Sequence, residues 1–64
     1  MSKIIKAYYK HSKLYPDVIV VDEAPAIKDC YSVQIREGIG YFNKIMCRGK
    51  LEAIQYAKEE LKLP

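Results

Sequence analysis

The sequence predicts a small α+β domain, in which an antiparallel sheet of three or four strands carries one C-terminal helix on one face. Two alternating segments meet at Gly38 and Ile39, a β-branched run precedes them, and an amphipathic helix pattern follows. The 64 residues allow one domain, residues 1–64. Because so short a chain buries only about 60% of its unfolded surface, we expect a cross-link or a partner to add stability.

The first two strands are predicted at residues 4–10 and 18–22. The first mixes Ile and Tyr with lysines, and a short helix is the alternative interpretation. Pro16 and Asp17 favour a turn between the two strands. The second strand begins Val-Ile-Val-Val, which predicts cover on both faces, by the helix on one and by something else, such as a second copy of the chain, on the other. Two acidic residues and Pro25 then end it.

The next two strands form a predicted hairpin over residues 30–37 and 40–47. The first of them alternates apolar and polar residues, as a half-buried strand does. Gly38 and Ile39 predict a two-residue type II′ turn, in which glycine takes the first central position.

The hairpin has two alternative registers. A three-residue turn would shift the second strand by one residue and place Ile45 beside Val33. The two-residue turn is preferred because it separates apolar from polar side chains better. It pairs Ile35 with Phe42, Val33 with Lys44, Tyr31 with Met46 and Cys30 with Cys47.

The C-terminal helix is predicted over residues 50–62. Gly49 is an acceptable N-cap, Glu52 falls where it can reach back to that cap, and Pro64 follows the end. The three-and-four spacing of apolar residues predicts one buried stripe. Its members are Leu51, Ile54, Ala57, Lys58 and Leu61.

The charges favour some classes of partner over others. The chain is 50% hydrophobic and 30% charged, which is typical of a folded domain, and its net charge is +3. Basic residues dominate residues 1–16 and 31–50, while residues 17–30 are acidic. Basic blocks attract phosphates, although the same charge also serves solubility alone. With no long apolar run, we expect a cytoplasmic protein with reduced thiols and no membrane segment.

No arrangement of residues predicts catalysis. His11 is the only histidine and has no nucleophile placed beside it by sequence pattern, while Cys30 and Cys47 lack the further ligands of a metal site. So small a domain also has little volume for a pocket. We therefore expect a non-enzyme without cofactor, metal or small-molecule substrate.

Half of the chain resembles known families. The segments YSVQIREG, GYF and GKLEAI, which begin at Tyr31, Gly40 and Gly49, look like the hairpin and helix of small DNA-binding domains of the integrase arm-binding and AP2 types. The Gly-Tyr-Phe and Glu-Ala-Ile patterns are also similar to HicB-type antitoxins. The first resemblance implies DNA binding by a sheet, and the second implies a regulator with a protein target.

Two hypotheses of function follow. In the first, the sheet face opposite the helix reads DNA or RNA, with hydrogen-bonding and stacking residues on the bases and basic residues on the phosphates. The base-contacting residues are Gln34, Arg36, Tyr41 and Asn43, and the phosphate-contacting residues are Lys28, Arg48 and Lys50.

In the second hypothesis, the chain is a protein-binding regulator or inhibitor, of an antitoxin-like or phage-type sort, which acts as a homodimer. Six tyrosines in so short a chain favour an interface, because tyrosine joins a large apolar body to a polar tip. The acidic block would suit basic sites on a target. The expected interface residues are Val18, Val20, Tyr8 and Tyr9.

Overall fold

The computed structural model describes residues 3–11, 13–24 and 28–62. It shows four antiparallel strands in chain order across one sheet, with one helix against it, which confirms the predicted α+β class. The second and third strands are therefore central, and the first and fourth are edges. The predicted breaks at Pro25 and Pro64 lie outside the described residues. The elements are β1 (Lys3–Tyr8), β2 (Val18–Asp22), β3 (Tyr31–Glu37), β4 (Gly40–Cys47) and α1 (Lys50–Glu60).

The β-branched run forms β2 and supplies the centre of the core. Val18 and Val20 are fully buried on the side of α1, with Val33 of β3 beside them. On the opposite face Ile19 and Val21 are only 4% and 6% exposed. One chain therefore buries the whole run, so the run gives no reason for a second copy. Val18 and Val20, which the sequence predicted to be interface residues, are buried in the core and cannot contact a partner.

The helix packs through small residues. Its buried positions are Ala53 and Ala57, followed by Leu61 just beyond the helix, whereas Leu51 is 81% exposed. Ala57 and Leu61 of the predicted stripe are buried, but Leu51 and Lys58 are exposed and Ala53 is buried instead. Alanine lets the helix backbone approach the branched side chains of β2 and β3 closely. No helix in the described part of the chain is long and apolar enough to cross a bilayer.

Both ends of α1 have identifiable partners. Gly49 is the N-cap, as predicted, and its carbonyl accepts the amide of Ala53, but Glu52 makes no capping bond. The chain leaves the helix where Lys62 takes a left-handed conformation and its amide donates to the carbonyl of Glu59. The Nζ atom of Lys10 donates to the carbonyl of Leu61 at 2.8 Å, which places a positive charge at the negative end of the helix dipole.

The hairpin follows the predicted register near its turn and departs from it further along. Gly38 has φ +65° and Ile35 pairs with Phe42, as a two-residue turn requires. A β-bulge then adds Lys44 as an extra residue, since Gln34 pairs with Asn43 but Val33 pairs with Ile45. The bulge puts an apolar side chain beside buried Val33 in place of a lysine.

The bulge overturns the predicted pairs beyond it. Cys47 lies opposite Tyr31, and Met46 lies opposite Ser32. The predicted pairing of Cys30 with Cys47 is therefore wrong: Cys47 is buried in the core beneath α1, and both thiols are free. Burial, with contributions from Glu52 and Cys30, raises the pKa of the Cys47 thiol.

The turn offers a matched pair of substitutions. Gly38→Ala should lower the free energy of unfolding by about 1–2 kcal/mol, because an L-residue is strained at positive φ. Gly40→Ala should not, since Gly40 has ordinary φ and a methyl group added at either glycine would meet only open space. Urea denaturation of the two variants measures this difference, and equal losses would contradict the assigned turn.

Candidate functional site

The sheet face opposite α1, here called the open face, brings together the four predicted base-contacting residues. Gln34 lies beside Asn43, and Arg36 lies beside Tyr41. Three of these four residues donate hydrogen bonds within the chain. The Nε2 atom of Gln34 donates to Ser32 Oγ at 3.2 Å, and the Tyr41 hydroxyl donates to the carbonyl of Pro16 at 2.9 Å. These two donors are therefore already used within the chain.

A second polar contact also lies on the open face. Ser32 is fully buried, and its hydroxyl donates to the Glu23 carboxylate at 2.6 Å. This carboxylate is close to Gln34 through the shared serine. Because a carboxylate repels phosphate, this part of the face is a poor surface for nucleic acid.

Arg36 is held from both sides. Its Nη1 atom donates to the carbonyl of Gly38 and its Nη2 atom donates to Asp17 Oδ1, both at 3.3 Å. The side chain is 25% exposed, and its buried Nε atom has no hydrogen-bond partner among the described residues. The charge that the sequence assigned to base recognition is thus largely offset by Asp17.

Asp17 is the centre of this arrangement. Its carboxylate accepts the backbone amides of Lys10 and His11, each at 2.8 Å, and lies 3.3 Å from His11 Nδ1. Its own amide donates to the carbonyl of Tyr8, and its carbonyl accepts the amide of Arg36. Asp17 therefore ties the β1–β2 loop to β3, and it contacts the exposed side chain of His11.

The same bonds fix the protonation of Asp17. The backbone amides of His11 and Lys10, and less strongly the side chains of His11 and Arg36, hold the pKa of its carboxyl well below the usual range, although burial acts in the opposite direction. The sequence indicated Asp17 only as a turn residue. The one available signal was an aspartate directly before an apolar strand.

Clefts between described residues lie beside the sheet. The first, of about 310 Å³, lies between the β1–β2 loop and the hairpin turn and is lined by Tyr15, Arg36, Gly38, Ile39 and Tyr41.

The second cleft, of about 270 Å³, is lined by Lys28, Asp29, Cys30 and Arg48. It brings together two of the three predicted phosphate-contacting residues. The third, Lys50, is exposed at the first residue of α1 and does not line this cleft.

The outer strand β4 is the largest exposed apolar feature of the sheet. All of its eight residues except Cys47 are exposed. Phe42 and Ile45, exposed by 43% and 37%, pair with residues of the α1 side, yet α1 packs mainly on β2 and β3. Tyr41 and Met46 lie on the open face. These four residues are here called the β4 edge; the sequence had indicated that Phe42 and Met46 lie under the helix.

The two predicted interface tyrosines differ in environment. Tyr8 packs against the core, where burial raises its pKa and leaves its hydroxyl without a partner among the described residues. Tyr9 is exposed. Only Tyr9 therefore offers its ring to a partner.

The described residues contain no group of three or more His, Cys, Asp or Glu side chains that could hold a metal ion. Neither a family model, nor a curated protein, nor a solved structure matches the chain. The resemblances to DNA-binding domains and to HicB-type antitoxins therefore gain no support.

The low pKa of Asp17 predicts how stability depends on pH. Its carboxyl contributes stability fully above the unfolded pKa of about 4, and loses it as the pH falls from there towards the lower folded pKa. Asp17→Asn should therefore be less stable than wild type at pH 7, by a margin that shrinks as the pH falls from about 4 to about 2. Urea denaturation at several pH values measures this margin.

Asp29→Asn is the matched control for this prediction. Asp29 is exposed and left-handed, and asparagine tolerates that conformation equally well. The control should follow the wild-type curve. A deficit of Asp17→Asn that stays constant with pH would contradict the ionic role of this carboxylate.

Proposed function

We propose that the chain is a small non-enzymatic regulator or inhibitor that binds a protein target at the β4 edge. The observation that carries this proposal is the exposure of four large apolar side chains, Tyr41, Phe42, Ile45 and Met46, along one edge strand. A long, exposed apolar edge in a soluble domain is either an aggregation hazard or a binding site.

The β4 edge offers two kinds of interaction. Its outer side carries backbone N–H and C=O groups that no strand pairs with in the described sheet, and these can accept an added strand of a partner. Its side chains lie on both faces, so a partner strand would bury apolar surface above and below the sheet. Burial of this apolar surface favours association.

Nucleic-acid binding is the second candidate function. It is supported by the cleft that Lys28 and Arg48 share and by the net charge of +3. The open face adds little to it, because Gln34, Arg36 and Tyr41 already donate within the chain. A contact to phosphates alone would give weak binding without base recognition.

Substitution of the β4 edge tests the first proposal. The double variant Phe42→Ser/Ile45→Ser should stay folded but lose the proteins that the wild type captures from its native host. Leu51→Ser is the matched control, because Leu51 is an equally apolar and more exposed residue on α1. Affinity capture with mass spectrometry, after a circular dichroism check of each variant, makes the comparison.

The two outcomes of that capture are separable. Proteins retained by the wild type and by Leu51→Ser, but not by the double variant, support the β4 edge. Equal retention by all three proteins, or retention by none, contradicts it.

An oligonucleotide titration tests the second candidate. If it is correct, duplex or single-stranded oligonucleotides should bind more weakly as salt rises, and Arg48→Gln should weaken binding at every sequence. Lys6→Gln removes the same charge on β1, far from the cleft in sheet order, and should have less effect. Absence of binding at low salt would exclude this function.

A further inference from the structure

The strand β4 and the segment that follows it carry charge of one sign. Between Glu37 and Glu52 the sequence has no acidic residue, and the cations Lys44, Arg48 and Lys50 fall in this interval. All three are exposed. The strand and the segment that follows it are therefore an apolar strip with basic residues only.

Lys44 has a special position in this strip. It is the extra residue of the β-bulge, in the middle of β4. Bulges and lysines are the devices by which edge strands avoid indiscriminate pairing. The other edge strand, β1, also combines a bulge with a lysine. Its register shifts between Ile4 and Lys6, and Lys6 directly follows the extra residue.

A second copy of the chain fits this edge poorly. In an antiparallel pair of two β4 strands, no acidic residue of either strand could meet Lys44 of the other, and a register centred on Lys44 would place the two lysines face to face. Like charges that face each other across a sheet destabilise the pairing. The same charge that rejects a second β4 attracts a strand of the opposite sign.

We propose that the β4 edge receives an extended acidic segment of another protein as a fifth strand, an inference that rests on the proposed function. The segment has apolar residues on both of its faces, to cover Phe42 and Ile45 on one side and Tyr41 and Met46 on the other. It has Asp or Glu at its centre, opposite Lys44. Apolar burial supplies affinity, and the central charge pair selects the partner.

A random twelve-residue peptide library displayed on phage tests this proposal with wild-type protein as bait. Selected peptides should be apolar with central Asp or Glu, and their synthetic versions should bind roughly fivefold to tenfold more weakly to Lys44→Glu. Lys6→Glu is the matched control, because it makes the same charge change at the bulge of the opposite edge and should bind like wild type. Selection on Lys44→Glu should yield peptides with central Lys or Arg instead.

The outcomes separate this inference from the proposed function. Peptides that bind wild type and fail on Phe42→Ser/Ile45→Ser, but show no acidic preference and no response to Lys44→Glu, overturn the acidic partner while leaving the β4 edge as the binding site. Peptides unaffected by the double variant, or no selected peptides at all, overturn both. Light scattering that shows a dimer dissociated by the same double variant would identify a second copy as the occupant and overturn the inference as well.

Discussion

The single helix α1 is too narrow to cover one whole face of the four-stranded sheet. An α-helix with its side chains is about 10 Å across, whereas the outer strands of a four-stranded sheet lie about 14 Å apart. The helix therefore packs on β2 and β3, and close approach through Ala53 and Ala57 seals this central contact. The uncovered remainder falls on the outer strands, and on β4 it is apolar.

On the open face, polar side-chain contacts cover part of the sheet where no helix packs in the described chain. Asp17 joins the β1–β2 loop to Arg36, and Glu23 reaches back to Ser32. These bonds lie beside Ile19 and Val21, whose strand neighbours are Gln34 and Ser32. Several polar side chains of this face bond one another, as Ser32 does with Glu23 and Gln34, so this face is part of the folded structure. The large apolar side chains of β4, by contrast, remain exposed.

The fold class was predictable because strand alternation, the glycine turn and the helix period are local signals. The hairpin register was predictable only near Gly38. The two-residue turn is correct, yet Ile45 lies beside Val33, as a three-residue turn would have placed it, because the bulge at Lys44 shifts the register between the two ends of the hairpin. Neither alternation nor turn chemistry indicates where a strand gains a residue; that depends on which side chain the core accepts.

The candidate site was less predictable for a related reason. The spacing of apolar residues along the helix predicts that Leu51 is buried and does not indicate Ala53. In the structure Ala53 is buried and Leu51 is exposed, because a small residue lets the helix approach the sheet. The partners of Asp17 lie up to 19 residues away, so no local pattern shows them. The exposure of Phe42 likewise follows from the width of the sheet relative to one helix, which a sequence pattern does not contain.

The short length of the chain limits both its folding stability and the part of the sheet that α1 covers. A chain of 64 residues buries a small core, with Val18, Val20 and Val33 as its largest fully buried apolar side chains, so its folding stability is expected to be modest. The apolar surface that could enlarge this core is on β4, outside the reach of α1. A partner that binds only the folded form stabilises it by mass action. Under the proposed function, binding at β4 would complete the sheet and stabilise the domain together, and it would cover an edge that otherwise adds a risk of aggregation.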